Sequence, residues 1–143
     1  MCMMVKKSRV WLSYAKDSLD KYKNNGGDEW LDGACYNCQQ SIEFLAKGIL
    51  LGYGVYFGIN GLDKRFGHDI SFILEKLDEV GFTFDKHDDL ELLSTTLTSW
   101  EEKGRYGEGI RTSVQTIYRA FKIYDSMMEA YLISQEENQE NKG

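Results

Sequence analysis

The chain has 143 residues, is 42% hydrophobic and 13% aromatic, and contains no proline, which gives one domain with ample core material and no obstacle to long helices. Its formal charge of −6 excludes a general attraction for phosphate backbones. No apolar run approaches the ~20 residues that cross a bilayer, and Met1 to Val10 lacks the apolar stretch of a signal peptide, so a cytoplasmic protein without membrane association is expected.

The apolar periodicity predicts five helices. In the first, from about Ser8 to Tyr22, Val10, Trp11, Tyr14, Ala15, Ser18, Leu19 and Tyr22 fall on one face. Asn24-Asn25-Gly26-Gly27 ends it and supplies the positive-φ positions of a chain reversal. Asp28 is the expected cap of a second helix reaching Tyr53, with Ala34, Cys38, Ile42, Leu45, Ala46 and Ile49 as its stripe. Its length makes it the expected centre of the bundle. Gly48, Gly52 and Gly54 weaken its end by roughly 1 kcal/mol each, unless they admit a neighbouring helix.

Val55 to Gly67 reads as a glycine-rich loop whose Tyr56, Phe57, Ile59, Leu62 and Phe66 fold back over the bundle or meet a partner. The third helix is expected over Asp69–Val80, with Ile70, Ile73, Leu74 and Leu77 inward. In the fourth, over Asp88–Lys103, Leu90, Leu93, Leu97 and Trp100 point inward and Asp88 or Asp89 caps the start. Ser94, Thr95, Thr96, Thr98 and Ser99 read as its exposed side. After the break Gly104 to Gly109, a fifth helix runs from Arg111 to Ser134, and residues 135–143 form a flexible acidic tail behind a 1–134 domain. The expected class is all-α, an antiparallel up-and-down bundle.

Four groups carry potential chemistry. Cys35-Tyr36-Asn37-Cys38 has the spacing of half a zinc site, but a second pair is missing and His68 and His87 are the only histidines. Cys38 lies on the apolar stripe, so buried reduced thiols are the simpler reading. Gln39, Glu43 and Lys47 align on the second helix, where Glu43 and Lys47 are spaced as an ordinary intrahelical ion pair. His68-Asp69 precedes the third helix, and one histidine alone makes no catalytic constellation. Arg105-Tyr106 lies between glycines, and Arg111 sits at the expected start of the fifth helix, where free N–H groups favour anions. No phosphate loop, dinucleotide fingerprint, zincin motif or serine triad is present.

The run from Ala34 through Cys35-Tyr36-Asn37-Cys38-Gln39-Gln40 and Glu43 to Leu51 resembles the second helix of HEPN domains. Gly67-His68-Asp69-Ile70 and the late Arg105-Tyr106 turn before a long final helix continue the resemblance, which spans about Ser8 to Leu132. It implies a helical bundle, often a homodimer with its functional surface between protomers. Many HEPN proteins are metal-independent ribonucleases with an R-x(4–6)-H motif. Others partner minimal nucleotidyltransferases in toxin–antitoxin-like pairs, and nucleotide binding has been suggested for some.

This chain departs from the ribonuclease pattern. Counting from Arg105, the histidine positions hold Ile110, Arg111 and Thr112, and from Arg111 they hold Thr116, Ile117 and Tyr118. The expectation is therefore a non-catalytic nucleotide- or partner-binding protein with no cofactor and no metal. Its surface comprises Gln39, Glu43, Lys47, His68, Arg105, Tyr106 and Arg111, with a nucleotidyltransferase as expected partner. The alternative is a ribonuclease with a displaced active site that uses Arg105 and His68.

Overall fold

The computed structural model describes residues 1–55 and 67–142. The loop positions Tyr56, Phe57, Ile59, Leu62 and Phe66 lie outside the described residues. The described chain is an all-α bundle of α1 (Met3–Asn25), α2 (Asp28–Gly52), α3 (Ile70–Glu79), α4 (His87–Arg105) and α5 (Val114–Lys142).

α2 is the central element and packs against each of the other four helices. Ala34, Cys38, Ile42, Leu45, Ala46 and Ile49, the predicted stripe, are all buried. Leu90, Leu93, Leu97 and Trp100 of α4 and Ile70, Ile73, Leu74 and Leu77 of α3 are buried as well. Each large apolar side chain so buried contributes about 2 kcal/mol, which holds these helices together.

Several boundaries move, each for a local reason. Gly26 and Gly27 carry the reversal with φ of 72° and 101°. Gly27 is therefore the cap position of α2, and Asp28 acts from inside the first turn through the helix dipole. Likewise Asp88 and Asp89 lie in the first turn of α4, and Lys86 occupies the cap position without a side-chain bond. α5 begins at Val114 because Ser113 Oγ accepts the Thr116 N–H at 3.2 Å. Arg111 thus precedes α5. At the other end the helix continues through the acidic segment, and Gln135–Glu140 are exposed.

The inward face of α1 is rotated from the predicted one. Val5, Ser8, Leu12, Ala15 and Leu19 are buried, whereas Val10 and Tyr14 are 48% and 52% exposed. The helix starts at Met3, five residues before the predicted start, and this early turn packs on α2. A Cβ on Gly48 would stand 2.7 Å from Val5 Cγ2 and 3.2 Å from Val5 N, so this glycine does admit a neighbouring helix. A Cβ on Gly52 would meet nothing within 4 Å among the described residues. Ser8 hydrogen-bonds Tyr124 at 2.8 Å and so joins α1 to α5 beneath the surface.

Two hydroxyls assigned to the exposed side of α4 face α3 instead. Thr98 Oγ1 accepts the Ile70 N–H at 3.1 Å, and Ser71 Oγ donates to Ser94 Oγ at 2.9 Å. The first bond satisfies an N–H at the open end of α3. Asp69 caps the same helix by accepting from Phe72 N. These contacts fix where His68, one residue earlier, meets the bundle.

Candidate functional site

The polar stripe of α2 is buried. Gln39, Gln40 and Glu43 are 0%, 6% and 3% exposed. Gln39 and Glu43 are one helical turn apart, so their side chains can bond directly. Gln40 Nε2 donates to Gln39 Oε1 at 2.8 Å, and Gln39 Nε2 donates to Glu43 Oε1 at 2.9 Å. Lys47 Nζ reaches Glu43 Oε2 at 3.1 Å and donates to the Gly67 carbonyl at 2.7 Å. The ordinary surface pair expected from the sequence is thus a desolvated one that also anchors the chain just before α3.

His68 closes the cluster. Its Nδ1 lies 2.9 Å from Glu43 Oε1, and its Nε2 lies 3.4 Å from Glu101 Oε1. Glu101, on α4, is 3% exposed. Arg105, one turn further along α4, brings its Nε within 3.4 Å of the same Glu101 oxygen. Two buried carboxylates from different helices are therefore bridged by one imidazole, with an ammonium at one end and a guanidinium at the other.

The protonation states follow from this arrangement. A neutral imidazole has one N–H, so only the imidazolium turns an N–H towards both carboxylates, hydrogen-bonded to Glu43 and in ion-pair range of Glu101. The Glu43 hydrogen bond raises the His68 pKa; burial opposes this, and the charges of Glu43 and Glu101 add to the rise. Burial by itself would push the Glu43 carboxyl up, but the His68 hydrogen bond, Lys47 and Gln39 together hold it below its ordinary range. His68 and Glu43 thus each favour the charged form of the other. The carboxylates of the cluster lie inside, while the His68 and Arg105 side chains are 39% and 47% exposed.

Gly104 gives α4 the shape it needs beside this network. A Cβ there would lie 2.5 Å from Tyr36 Cδ2 and 2.9 Å from Tyr36 Cβ, so the ring of Tyr36 occupies the space the glycine leaves. Trp11 meets the same ring edge-on, with centroids 6.2 Å apart. Tyr106 follows Arg105 as the C-cap of α4, and the guanidinium carbon stands 4.8 Å from its ring centre.

Gln39, Glu43, Lys47, His68 and Arg105 thus meet in one cluster, with Tyr106 at its edge. Arg111 is exposed, and no ion pair among the described residues joins it to the others. Instead, the segment between α4 and α5 is tied back where Asp32 Oδ1 accepts the Ile110 N–H at 3.0 Å. Sequence reasoning missed Glu101 and Tyr36. Glu101 stands one turn after the inward Leu97 and next to Trp100, a phase that places it inward. Cys35 and Cys38 are fully buried. Among the described residues, His87, Asp88 and Glu91 are grouped closely enough to share a metal ion. They lie at the start of α4, and both His87 nitrogens already face Asp78 and Asp88. A groove of about 430 Å3 between α5 and the Phe82–Asp85 segment contains none of the clustered residues.

A family model, described as HEPN domain, matches residues 8–133. The chain belongs to the HEPN family. No curated protein and no solved structure gives a match. The HEPN match includes every residue of the cluster, from Gln39 to Arg105. The resemblance in α2, at His68-Asp69 and at Arg105-Tyr106 therefore coincides with three pieces of chain that meet in space.

Proposed function

We propose that this HEPN protein is a non-catalytic module that binds a nucleotide at the His68–Arg105 face and pairs with a minimal nucleotidyltransferase in a toxin–antitoxin-like system. The observation that carries the binding role is the shared Glu101 oxygen, which holds His68 and Arg105 side by side with their exposed parts outward. A buried carboxylate beneath two cations pre-orients them, so an arriving phosphate need not order them itself. Tyr106, 66% exposed, adds a ring beside Arg105 on which a base can stack. The partner role rests on the family resemblance and on the lack of a histidine after Arg105.

Calorimetric titration with ADP and pyrophosphate tests the binding role. The wild-type chain is expected to bind both, and Arg105→Ala to weaken each by about tenfold or more. Unchanged affinity in that variant rejects the site. Purification of the tagged protein from its native host tests the pairing, with a stoichiometric nucleotidyltransferase as the expected companion.

The same geometry favours one second reading, a ribonuclease that uses Arg105 and His68. The two cations are neighbours, as a general acid beside a phosphate-binding group must be. However, both His68 nitrogens face carboxylates, so proton transfer to RNA requires His68 to leave one of them. RNA cleavage by the purified chain that disappears in His68→Ala would replace the non-catalytic reading with this one.

A further inference from the structure

We infer that Tyr36 is a further ligand-binding residue of this site, its phenol hydroxyl donating a hydrogen bond to a phosphate oxygen held by Arg105 and His68. The inference rests on the nucleotide-binding reading above and adds to it a neutral donor that selects for the oxygens of the anion.

Position is the first support. Tyr36 lies two turns before Glu43 on the same face of α2, and its ring fills the slot at Gly104, the residue before Arg105. The ring is held from two sides. The α4 backbone at Gly104 lies against one part of it, and Trp11 meets it edge-on at 86°. Trp11 is itself stacked on Phe44, with centroids 6.3 Å apart, so the support is an aromatic group anchored on α2. A side chain clamped in this way loses little rotamer freedom when it binds.

Hydrogen bonding is the second support. Gln39, Gln40, Glu43, Lys47, His68, Glu101 and Arg105 all have polar partners within the chain. The Tyr36 hydroxyl has none among the described residues, although its ring is half-buried. Packing against Gly104 and Trp11 uses the ring alone and leaves the hydroxyl unused.

Electrostatics is the third. Burial raises the Tyr36 pKa, Glu101 and Glu43 raise it further, and Arg105 opposes them. The phenol therefore keeps its proton at neutral pH and remains a donor, and it lies within the field of Glu101, Glu43 and Arg105. Cations alone attract any small anion. A fixed O–H beside them favours an anion with several acceptor oxygens in a defined arrangement, as in a phosphate or diphosphate.

The test compares wild type, Tyr36→Phe and Arg105→Ala by calorimetric titration with ADP and with pyrophosphate. Tyr36→Phe keeps the ring in the Gly104 slot, so its melting temperature should match wild type. Its affinity should fall about tenfold for both probes, because the lost bond is to phosphate. Wild-type affinity in Tyr36→Phe, together with weakened binding in Arg105→Ala, overturns the inference and leaves the site intact. A loss confined to ADP places Tyr36 against the nucleoside and also overturns it. Failure of the wild-type chain to bind either probe rejects the nucleotide-binding reading and the inference with it.

Discussion

Replacing Gly48 by alanine tests a close α1–α2 approach in the bundle. In an open helix, Gly→Ala stabilises by about 1 kcal/mol. At Gly48 the new Cβ would meet Val5 Cγ2 at 2.7 Å, with Val5 N and Cys2 Sγ both at 3.2 Å. Val5 is fully buried, and its β-branched side chain has little rotamer freedom with which to yield. Overpacking of this kind costs about 2–3 kcal/mol, which outweighs the propensity gain and leaves a net loss of about 1–2 kcal/mol. A Cβ on Gly52, in the same helix, would meet nothing within 4 Å among the described residues, so Gly52→Ala should stabilise by about 0.5–1 kcal/mol. Val5→Ala alone should cost about 2–3 kcal/mol in lost methyls and cavity. It also vacates the Cγ2 position, so Gly48→Ala should become stabilising in that background, with a coupling of about 2–3 kcal/mol. Urea denaturation followed by circular dichroism measures all five chains. Equal effects of Gly48→Ala with and without Val5, or a Gly48→Ala chain as stable as wild type, would refute the packing argument.

Two further predictions follow from the buried polar groups. The His68 pKa is raised above its ordinary 6.5, so the stability it contributes is complete below 6.5 and is lost as pH rises through the folded value. The Glu43 pKa is lowered from 4.5, so its contribution is present above 4.5 and is lost as pH falls through the folded value. The difference in melting temperature between wild type and Glu43→Gln should therefore be largest between about pH 4.5 and 6.5 and should shrink towards pH 9; a difference that grows with pH would reject the His68–Glu43 linkage. Burial pushes the Cys35 thiol up to about 12 and the Cys38 thiol higher still. In a thiol-labelling assay the native chain should thus react rapidly at Cys2 alone and in urea at all three cysteines, and rapid native labelling of more than one thiol would contradict their burial.

The helices were legible because apolar spacing reports directly on burial. Leu90, Leu93, Leu97 and Trp100 illustrate this, since every one is buried. The phase of α1 was less legible, because Val10 and Tyr14 are apolar yet exposed, while the inward Ser8 is polar and finds its partner on α5. Hydroxyls misled for the same reason: Thr98 looks solvent-facing until the Ile70 N–H it accepts is brought to it by the fold. For the site, spacing linked Glu43 to Lys47 within one helix, but nothing local brings Glu101 to His68. That contact depends on how α3 and α4 pack, and a buried glutamate is unremarkable in sequence until its cations arrive. Glycine was ambiguous in another way. Gly104 reads in sequence as the start of a break after α4, yet it lies inside the helix and leaves room for the ring of Tyr36.

The way Arg105 engages Glu101 also determines what it can offer. The contact runs through Nε, the inner nitrogen of the guanidinium. A planar guanidinium held there still has two terminal NH2 groups, which form a two-pronged fork able to grip a pair of oxygens. An anion can therefore be shared with Glu101 without being exchanged for it, and the buried carboxylate is never left stranded. Substitution by lysine would keep the charge but would force one ammonium to choose between Glu101 and the ligand.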